Sequence, residues 1–219
     1  WSSDVCSSDL MGYIFQTYGL SHTTAAITGF VTGLYVVFTP LIAAALLKKR
    51  IPAKAWGAVF LATIGLAFLS LEGFAISFGA VLVLVSAIFF AAHIVSLGEW
   101  SAGRDVYAMT IVQLAMCGML TTIGAIPDGI MLPPNSEVWW VVIFTALCGT
   151  AIAFVIQTWA QSVMSPTTVA VLLTTETVWA AFFAVAVGGE NLTLRIIIGG
   201  ILVLFAMYQI IILDSKESA

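Results

Sequence analysis

Residues 79–98 read GAVLVLVSAIFFAAHIVSLG, twenty consecutive residues without a formal charge. About 20 apolar residues in a helix are enough to cross the hydrocarbon core of a bilayer. The apolar character is continuous and lacks the period-2 alternation of a membrane β-barrel strand. This stretch therefore predicts a transmembrane helix, and the rest of the chain can be compared with it.

The composition agrees with this prediction. Of the 219 residues, 61% are apolar and 8% are charged, with 7 Lys and Arg against 11 Asp and Glu. A soluble domain carries about 25% charged residues, so this chain has too few charged residues to cover a water-exposed surface. The composition excludes a soluble enzyme, a nucleic-acid-binding protein and a disordered chain. It predicts an all-α membrane protein whose main partner is the lipid bilayer.

The charged residues separate uncharged runs of bilayer length, and these runs give the number of spans. Seventeen of the 18 charged residues lie between apolar runs or at the chain ends, and Glu176 alone lies deep inside one. The predicted bundle has seven full spans and an incomplete one. The full spans are expected at 25–47, 55–71, 76–97, 107–127, 139–161, 166–187 and 195–213, and the incomplete span at 11–20.

The distribution of Lys and Arg between the loops predicts the orientation. Cytoplasmic loops carry an excess of these residues. Alternating the loops from 48–54 gives six on one side and one on the other: Lys48, Lys49, Arg50, Lys54, Arg104 and Lys216 against Arg195. The tail at 214–219 is therefore expected in the cytoplasm and the protein in the cell (inner) membrane.

The first ten residues, WSSDVCSSDL, differ in character from the rest. They are polar and Ser-rich, without the basic and apolar regions of a signal peptide. They resemble a translated sequencing adapter, so 1–10 is interpreted as a non-native segment and set apart from the fold. Cys117 and Cys148 then remain, both inside spans, and they give neither a disulfide framework nor metal-ligand spacing.

Two stretches, 21–57 and 165–199, share an order of features. Each begins with a small polar cluster, continues through an apolar helix with a polar centre, and ends with a charged loop and a Gly-containing helix. Five spans separate equivalent positions, so the second copy would be inserted upside down. Inverted repeats are common in secondary transporters. We therefore expect a partial first repeat at 11–71, a complete second repeat at 74–213, and about two and a half further helices before the first.

The chain also resembles the EamA-type permeases of the drug/metabolite transporter superfamily. The resemblance lies in FQTYGLSHTTAA (15–26), GFVTGLYVVFTPLIAAALL (29–47), the 79–98 stretch, QTWAQ (157–161), TTETVWAAFFA (174–184) and GGENL (188–192). It implies two inverted five-span repeats and transport of small metabolites. Two departures stand out. Glu176-Thr177 replaces the family's Glu-Pro, which predicts loss of a helix kink, and Lys49 stands where a Glu is common.

Polar stripes inside the spans predict a cavity. Polar residues recur on one face of several apolar helices, for example Thr32, Tyr35 and Thr39, and lipid offers such residues no partner. A single Ser or Thr usually bonds across helices or to a carbonyl one turn back, but several stripes together favour a polar-lined cavity. The candidate lining residues are Thr32, Tyr35, Thr39, His93, Gln113, Gln157, Glu176 and Trp179.

Glu176 is the strongest single indication of function. An acid at the centre of a span costs roughly 2.5–3.5 kcal/mol on insertion scales. It is either a neutral hydrogen-bonding residue, or a proton site or ligand for a cationic substrate. His93 is either a packed histidine or a cavity group. Trp179 is either core packing or a stacking surface.

These features predict a secondary transporter for a small metabolite, amino acid or drug-like solute, working by alternating access and proton-coupled through Glu176. The alternative is a structural or signalling membrane protein without transport. An enzyme is not expected, because no nucleophile–base pair or second acid accompanies Glu176 at depth. No cofactor, metal or nucleic acid is implied, and a homodimer is left open.

Overall fold

The chain folds into a bundle of helices in the computed structural model, which describes residues 2–23, 25–48, 52–70, 78–126, 129, 133–186 and 192–217. Within these ranges the chain is helical and contains no strand, which confirms the all-α fold. The helices are α1 (Ser2–Leu20), α2 (Ala25–Gly33), α3 (Tyr35–Leu47), α4 (Ala53–Ser70), α5 (Phe78–Ser101), α6 (Val106–Ala125), α7 (Ser136–Phe144), a π-helical segment (Thr145–Ile152), α8 (Ala153–Val163), α9 (Pro166–Leu173), α10 (Thr175–Ala186) and α11 (Leu194–Glu217).

Length and apolarity fit a helical membrane protein. Among the described residues, three continuous helices are long and apolar enough to cross a bilayer: Phe78–Ser101, Val106–Ala125 and Ser136–Val163. Shorter apolar helices occupy Val31–Leu47, Ala53–Phe68 and Ile196–Ile210. Each lies within one of the predicted spans or overlaps most of it.

Side-chain caps fix where several helices begin. Asp105 accepts hydrogen bonds from the backbone N–H groups of Tyr107 and Ala108 before α6. Asn135 accepts one from Val138 before α7, and Ser165 accepts one from Thr168 before α9. Such caps satisfy N–H groups that have no partner within the helix. The span at 139–161 consequently begins three residues earlier than predicted.

The first helix differs from the expectation of a partial span at 11–20. It runs from Ser2 through the boundary placed after residue 10. Val5 and Cys6 are buried, and Val5 forms a small apolar cluster with Leu97 and Met109. The helix continues through this polar segment because the side chain at position 5 makes apolar contacts with α5 and α6.

Two helical rods are interrupted near their middle. The first breaks at Leu34, between α2 and α3, and the second at Thr174, between α9 and α10. The break residues have similar backbone angles, φ −63° and ψ −8° at Leu34, φ −63° and ψ −17° at Thr174. Both breaks contain backbone hydrogen bonds to the third residue back, which tighten the turn.

The second break corrects the expectation that Thr177 removes a kink. The side chains of Thr174, Thr175 and Thr177 donate hydrogen bonds of 2.6–2.7 Å to the carbonyls three residues earlier. Hydroxyl bonds of this kind compete with the backbone ladder and bend helices. The threonine run therefore interrupts the helix without a proline.

Two pairs of helices cross closely through glycines. A Cβ placed on Gly19 of α1 would lie 2.9 Å from the carbonyl oxygen of Gly79 in α5. A Cβ on Gly65 of α4 would lie at the same distance from that of Gly199 in α11. Small residues let helix backbones approach in this way inside a membrane.

Of the three long apolar helices, the one formed by α7, the π-helical segment and α8 is the least covered by the rest of the bundle. Residues 136–150 are all exposed, and large apolar side chains such as Trp140 and Phe144 are among them. Hydrocarbon is a suitable environment for such a surface. The charged loops used in the repeat comparison, 49–51 and 187–191, and the chain end at 218–219 lie outside the described residues.

Candidate functional site

A half-open cavity of about 190 Å³ lies among the helices. Its wall combines ionisable, amide and hydroxyl side chains with aromatic and aliphatic ones, and it draws on α1, α5, α8 and both interrupted rods. The lining residues are Asp9, Tyr13, Gln16, Thr32, Tyr35, Phe90, His93, Ile94, Phe154, Gln157, Leu173 and Glu176.

The two helix breaks lie beside this cavity. Thr32 and Tyr35 flank the break at Leu34, and Leu173 and Glu176 flank the break at Thr174. An interrupted helix exposes side chains and backbone that a regular helix would direct elsewhere. The breaks therefore position part of the polar wall.

The α1 side of the cavity carries a polar stripe. Asp9, Tyr13 and Gln16 are spaced i, i+4 and i+7 and lie on one face of the helix. The Gln16 side-chain amide donates a 3.0 Å hydrogen bond to the Thr32 hydroxyl. This bond ties α1 to α2 at the cavity wall and leaves the Thr32 hydroxyl proton for another acceptor.

His93 is almost completely buried, 3% exposed, and borders the cavity from α5. Its Nδ1 lies 2.9 Å from the carbonyl oxygen of Val5. A carbonyl only accepts, so Nδ1 carries a proton and donates to it; in the neutral form of the ring Nε2 is then an acceptor. Nε2 is buried and has no hydrogen-bond partner among the described residues.

Glu176 lies in the first turn of α10, is exposed, and lines the cavity. Within the described part of the chain its carboxyl group makes no hydrogen bond or salt bridge. An acid in an apolar span is expensive unless it meets water or a partner. The cavity supplies that access.

Five of the eight predicted lining residues meet in this cavity: Thr32, Tyr35, His93, Gln157 and Glu176. The other three lie elsewhere. Thr39 is fully buried and donates a 2.8 Å hydrogen bond to the Tyr35 carbonyl one turn back. Gln113 is buried, and Trp179 is 59% exposed and packs with Phe182 and Phe183.

Gln113 belongs to a buried polar region between α6 and α8. Thr110 of α6 donates a 3.2 Å hydrogen bond to Thr158 of α8. Both side-chain amide atoms of Gln113, and both of Gln161, are buried without a partner among the described residues. The polar stripe on α6 therefore joins two helices and does not reach the described cavity.

Seven lining residues were not predicted from the sequence: Asp9, Tyr13, Gln16, Phe90, Ile94, Phe154 and Leu173. Tyr13 and Gln16 share a face with Asp9, which was set apart with residues 1–10. Phe90 and Ile94 lie three and one residues from His93, and Phe154 lies three residues before Gln157. A helical spacing of three residues from His93 and Gln157 would have identified the aromatic neighbours Phe90 and Phe154; no such spacing identifies Ile94.

The arrangement is suited to binding a solute. The lining residues that the structure describes include no Lys or Arg, and the described part of the chain contains no group of three or more His, Cys, Asp or Glu side chains that could hold a metal. The wall offers hydrogen-bond acceptors, hydroxyls and aromatic faces. Side chains of these kinds orient small ligands in mostly apolar pockets.

A bundle of apolar helices around a polar cavity defines a multi-pass helical membrane protein. The model of the EamA-like transporter family matches residues 6–71 and 77–212. An uncharacterized transporter of Archaeoglobus fulgidus is 34% identical over 201 residues, covering 91% of this chain and 65% of that protein. The chain belongs to the EamA-like transporter family.

The fold itself is known from experiment. A solved crystal structure superposes with a TM-score of 0.85 at 16% identity, covering all of this chain and 78% of that one. At this identity the likeness concerns the fold alone. The chain spans slightly less than two thirds of the length of its curated relative.

Proposed function

We propose that this protein is a secondary transporter that moves a small solute across the cell membrane by alternating access. The observation that carries the proposal is the cavity bordered by both helix breaks, with the Glu176 carboxyl group on its wall. Membership of a transporter family supports it. The same membership argues against catalysis as the main activity.

The interrupted rods favour this mechanism. Discontinuous helices at a central site are typical of transporters built from inverted repeats, in which one half rocks against the other. Leu34 and Thr174 lie in the spans that the sequence assigns to equivalent positions of the two repeats. A cavity bordered by both breaks would change its access as the halves move.

The cavity size limits the solute. Drug-sized ligands occupy pockets of about 300–1,000 Å³, and this one measures about 190 Å³. A small metabolite fits better than a drug-sized molecule.

Glu176 is the proposed proton-coupling residue. Its carboxyl group is in the cavity and free of a protein partner among the described residues, so it can exchange a proton with water or meet a charged solute. Proton release on one side and uptake on the other would couple the proton gradient to solute movement.

The test is solute flux in proteoliposomes containing the protein translated from the complete open reading frame that includes these residues. Glu176→Gln keeps the shape of the side chain and removes the charge, so the dependence of flux on pH should weaken. Glu137→Gln, at an exposed helix start, is the matched control. Unchanged flux at every pH would remove Glu176 from coupling.

The orientation is proposed from the positive charges, with the carboxyl terminus in the cytoplasm. A reporter fused after residue 219, active on only one side of the membrane, would test it. The alternative of a structural or signalling protein without transport is favoured less, because such a protein needs no polar cavity. Absence of flux for every solute in a broad screen would favour it.

A further inference from the structure

The hydrogen-bonding groups of the cavity wall point to one class of solute. We propose that the transported solute is a small organic cation, a primary amine with a compact apolar body and no carboxylate. The proposal rests on the transport function above and specifies its substrate.

The first observation is the charge of the wall. Glu176 brings a carboxyl group without an ion pair among the described residues, and none of the described residues that line the cavity is Lys or Arg. The basic side chains described, Lys48, Lys54 and Arg104, are all exposed near helix ends. Asp9 is a second acid on the wall, but it belongs to the segment 1–10 set apart by its composition, so Glu176 is the acid assigned to the solute.

The second observation is the state of His93. Its Nδ1–H is held by a backbone carbonyl, so any residue at position 5 would provide the same acceptor. The other ring nitrogen, Nε2, is buried and has no partner in the described part of the chain, and in the neutral form of the ring it is an acceptor. A buried acceptor of this kind requires a donor, and an ammonium group carries up to three N–H donors.

The third observation is the apolar part of the wall. Phe90, Phe154, Ile94 and Leu173 border the same cavity as Glu176 and His93. The aromatic faces and aliphatic side chains suit a hydrocarbon body. A cation also interacts favourably with an aromatic face when water is excluded.

A carboxylate on the solute would be poorly accommodated. It would enter a small cavity beside the carboxyl group of Glu176, where the described lining residues include no cation to pair with it. An unpaired charge removed from water is costly, and a second acid nearby increases the cost. Amino acids and organic acids are therefore expected to bind more weakly than the corresponding amine.

Three solutes with the same branched body separate these classes: 3-methylbutylamine, leucine and 4-methylpentanoate. Binding to the full-length purified protein is measured by titration calorimetry in detergent, which avoids passive leakage of the neutral amine through vesicles. The amine should bind at least about tenfold more tightly than either carboxylate, a ratio consistent with one charge-assisted hydrogen bond. The quaternary analogue, which has the charge but no N–H, should bind more weakly than the primary amine.

Substitutions assign the effect to the cavity. Glu176→Gln should weaken amine binding by about tenfold or more, and Glu137→Gln should leave it unchanged. His93→Phe should reduce the preference of the primary amine over its quaternary analogue, which a purely structural role of His93 would not do. Thermal unfolding of each variant shows whether it is folded.

Tighter binding of leucine or 4-methylpentanoate, or an amine affinity insensitive to Glu176→Gln in folded protein, would overturn the proposal. Failure of all three solutes to bind would also overturn it. Transport of an unrelated solute in the same preparation would still leave the proposed transport function in place.

Discussion

Leu34 and Thr174 occupy the same position in two helix breaks with the same hydrogen bonds. The N–H of each donates to the carbonyl three residues earlier, Val31 and Val171 respectively. The carbonyl of each accepts from the N–H three residues later, Val37 and Thr177. The two interrupted rods therefore match more closely in their backbone hydrogen bonds than in their sequences. In sequence they share only a small polar cluster and a polar centre.

The threonine run offers a direct test of how the second break arises. Replacing Thr174, Thr175 and Thr177 by Val removes three hydroxyl bonds to backbone carbonyls. The backbone ladder can then close and the helix straighten, which moves Glu176 relative to the cavity. We expect solute flux to fall by about tenfold or more, since displacements of about 1 Å at a site have effects of this size or larger.

A proline provides the rescue. The variant with Val at 174 and 175 and Pro at 177 should regain much of the flux, because proline also prevents a regular helix. Thr63→Val in α4 is the control, since Thr63 makes a similar 2.8 Å bond to Val59 inside an unbroken helix. Full activity of the triple Val variant would show that the hydroxyls do not maintain the break.

The crossing of α4 and α11 predicts a stability effect at Gly65. A Cβ there would meet the backbone of Gly199 and Val203 at 2.9–3.0 Å, where no side chain can move aside. Gly65→Ala should destabilise the protein by about 1–3 kcal/mol, lowering the unfolding temperature by roughly 2–10 °C. Thermal unfolding in detergent measures the change.

Gly57 in the same helix is the matched control. A Cβ at Gly57 meets nothing within 4 Å, and alanine is favoured over glycine in a helix by about 0.5–1 kcal/mol. Gly57→Ala should therefore leave the unfolding temperature unchanged or raise it. An equal loss of stability in both variants would argue against a close crossing at Gly65.

The sequence predicted the features that depend on the free-energy cost of placing individual side chains in lipid. Long uncharged runs gave the helices, and the expense of polar groups in lipid singled out Tyr35, His93 and Glu176, which share the cavity. The sequence could not predict how each helix is rotated about its own axis, and therefore which of its faces meets the cavity. Thr39 follows Tyr35 by one turn, yet the bend at Leu34 and the packing of α3 bury it outside the cavity.

Trp179 is a second residue whose location could not be predicted from helical spacing. It lies three residues after Glu176, which predicts a shared face, but it is 59% exposed and packs against Phe182 and Phe183. Glu176 lies in the first turn after the break at Thr174. Its position relative to the cavity therefore depends on how the helices pack as well as on helical spacing. Contributions from residues 1–10 to the cavity were missed because their composition set them apart.

Gln113 was predicted to line the cavity but is not among the residues that line it in the structure. Its amide group is buried with no partner among the described residues, and an unsatisfied buried polar group costs about 1–3 kcal/mol. Gln113→Leu should raise the free energy of unfolding by about that amount and leave flux unchanged. Gln157→Leu, in the cavity wall, should reduce flux instead. Loss of flux in Gln113→Leu would place Gln113 on the solute path, as its helical stripe first suggested.

Access of water to the cavity can be measured by cysteine labelling. In a background with Cys6, Cys117 and Cys148 replaced by Ala, single cysteines at Tyr35 and Thr39 are compared. Position 35 borders the cavity and position 39 is fully buried one turn later on the same helix. A cationic, membrane-impermeant methanethiosulfonate should therefore react quickly at 35 and slowly at 39, and the proposed amine solute should slow the reaction at 35. Equal rates at the two positions would mean that water does not reach this cavity selectively, and the site assigned to Glu176 would then have to be abandoned.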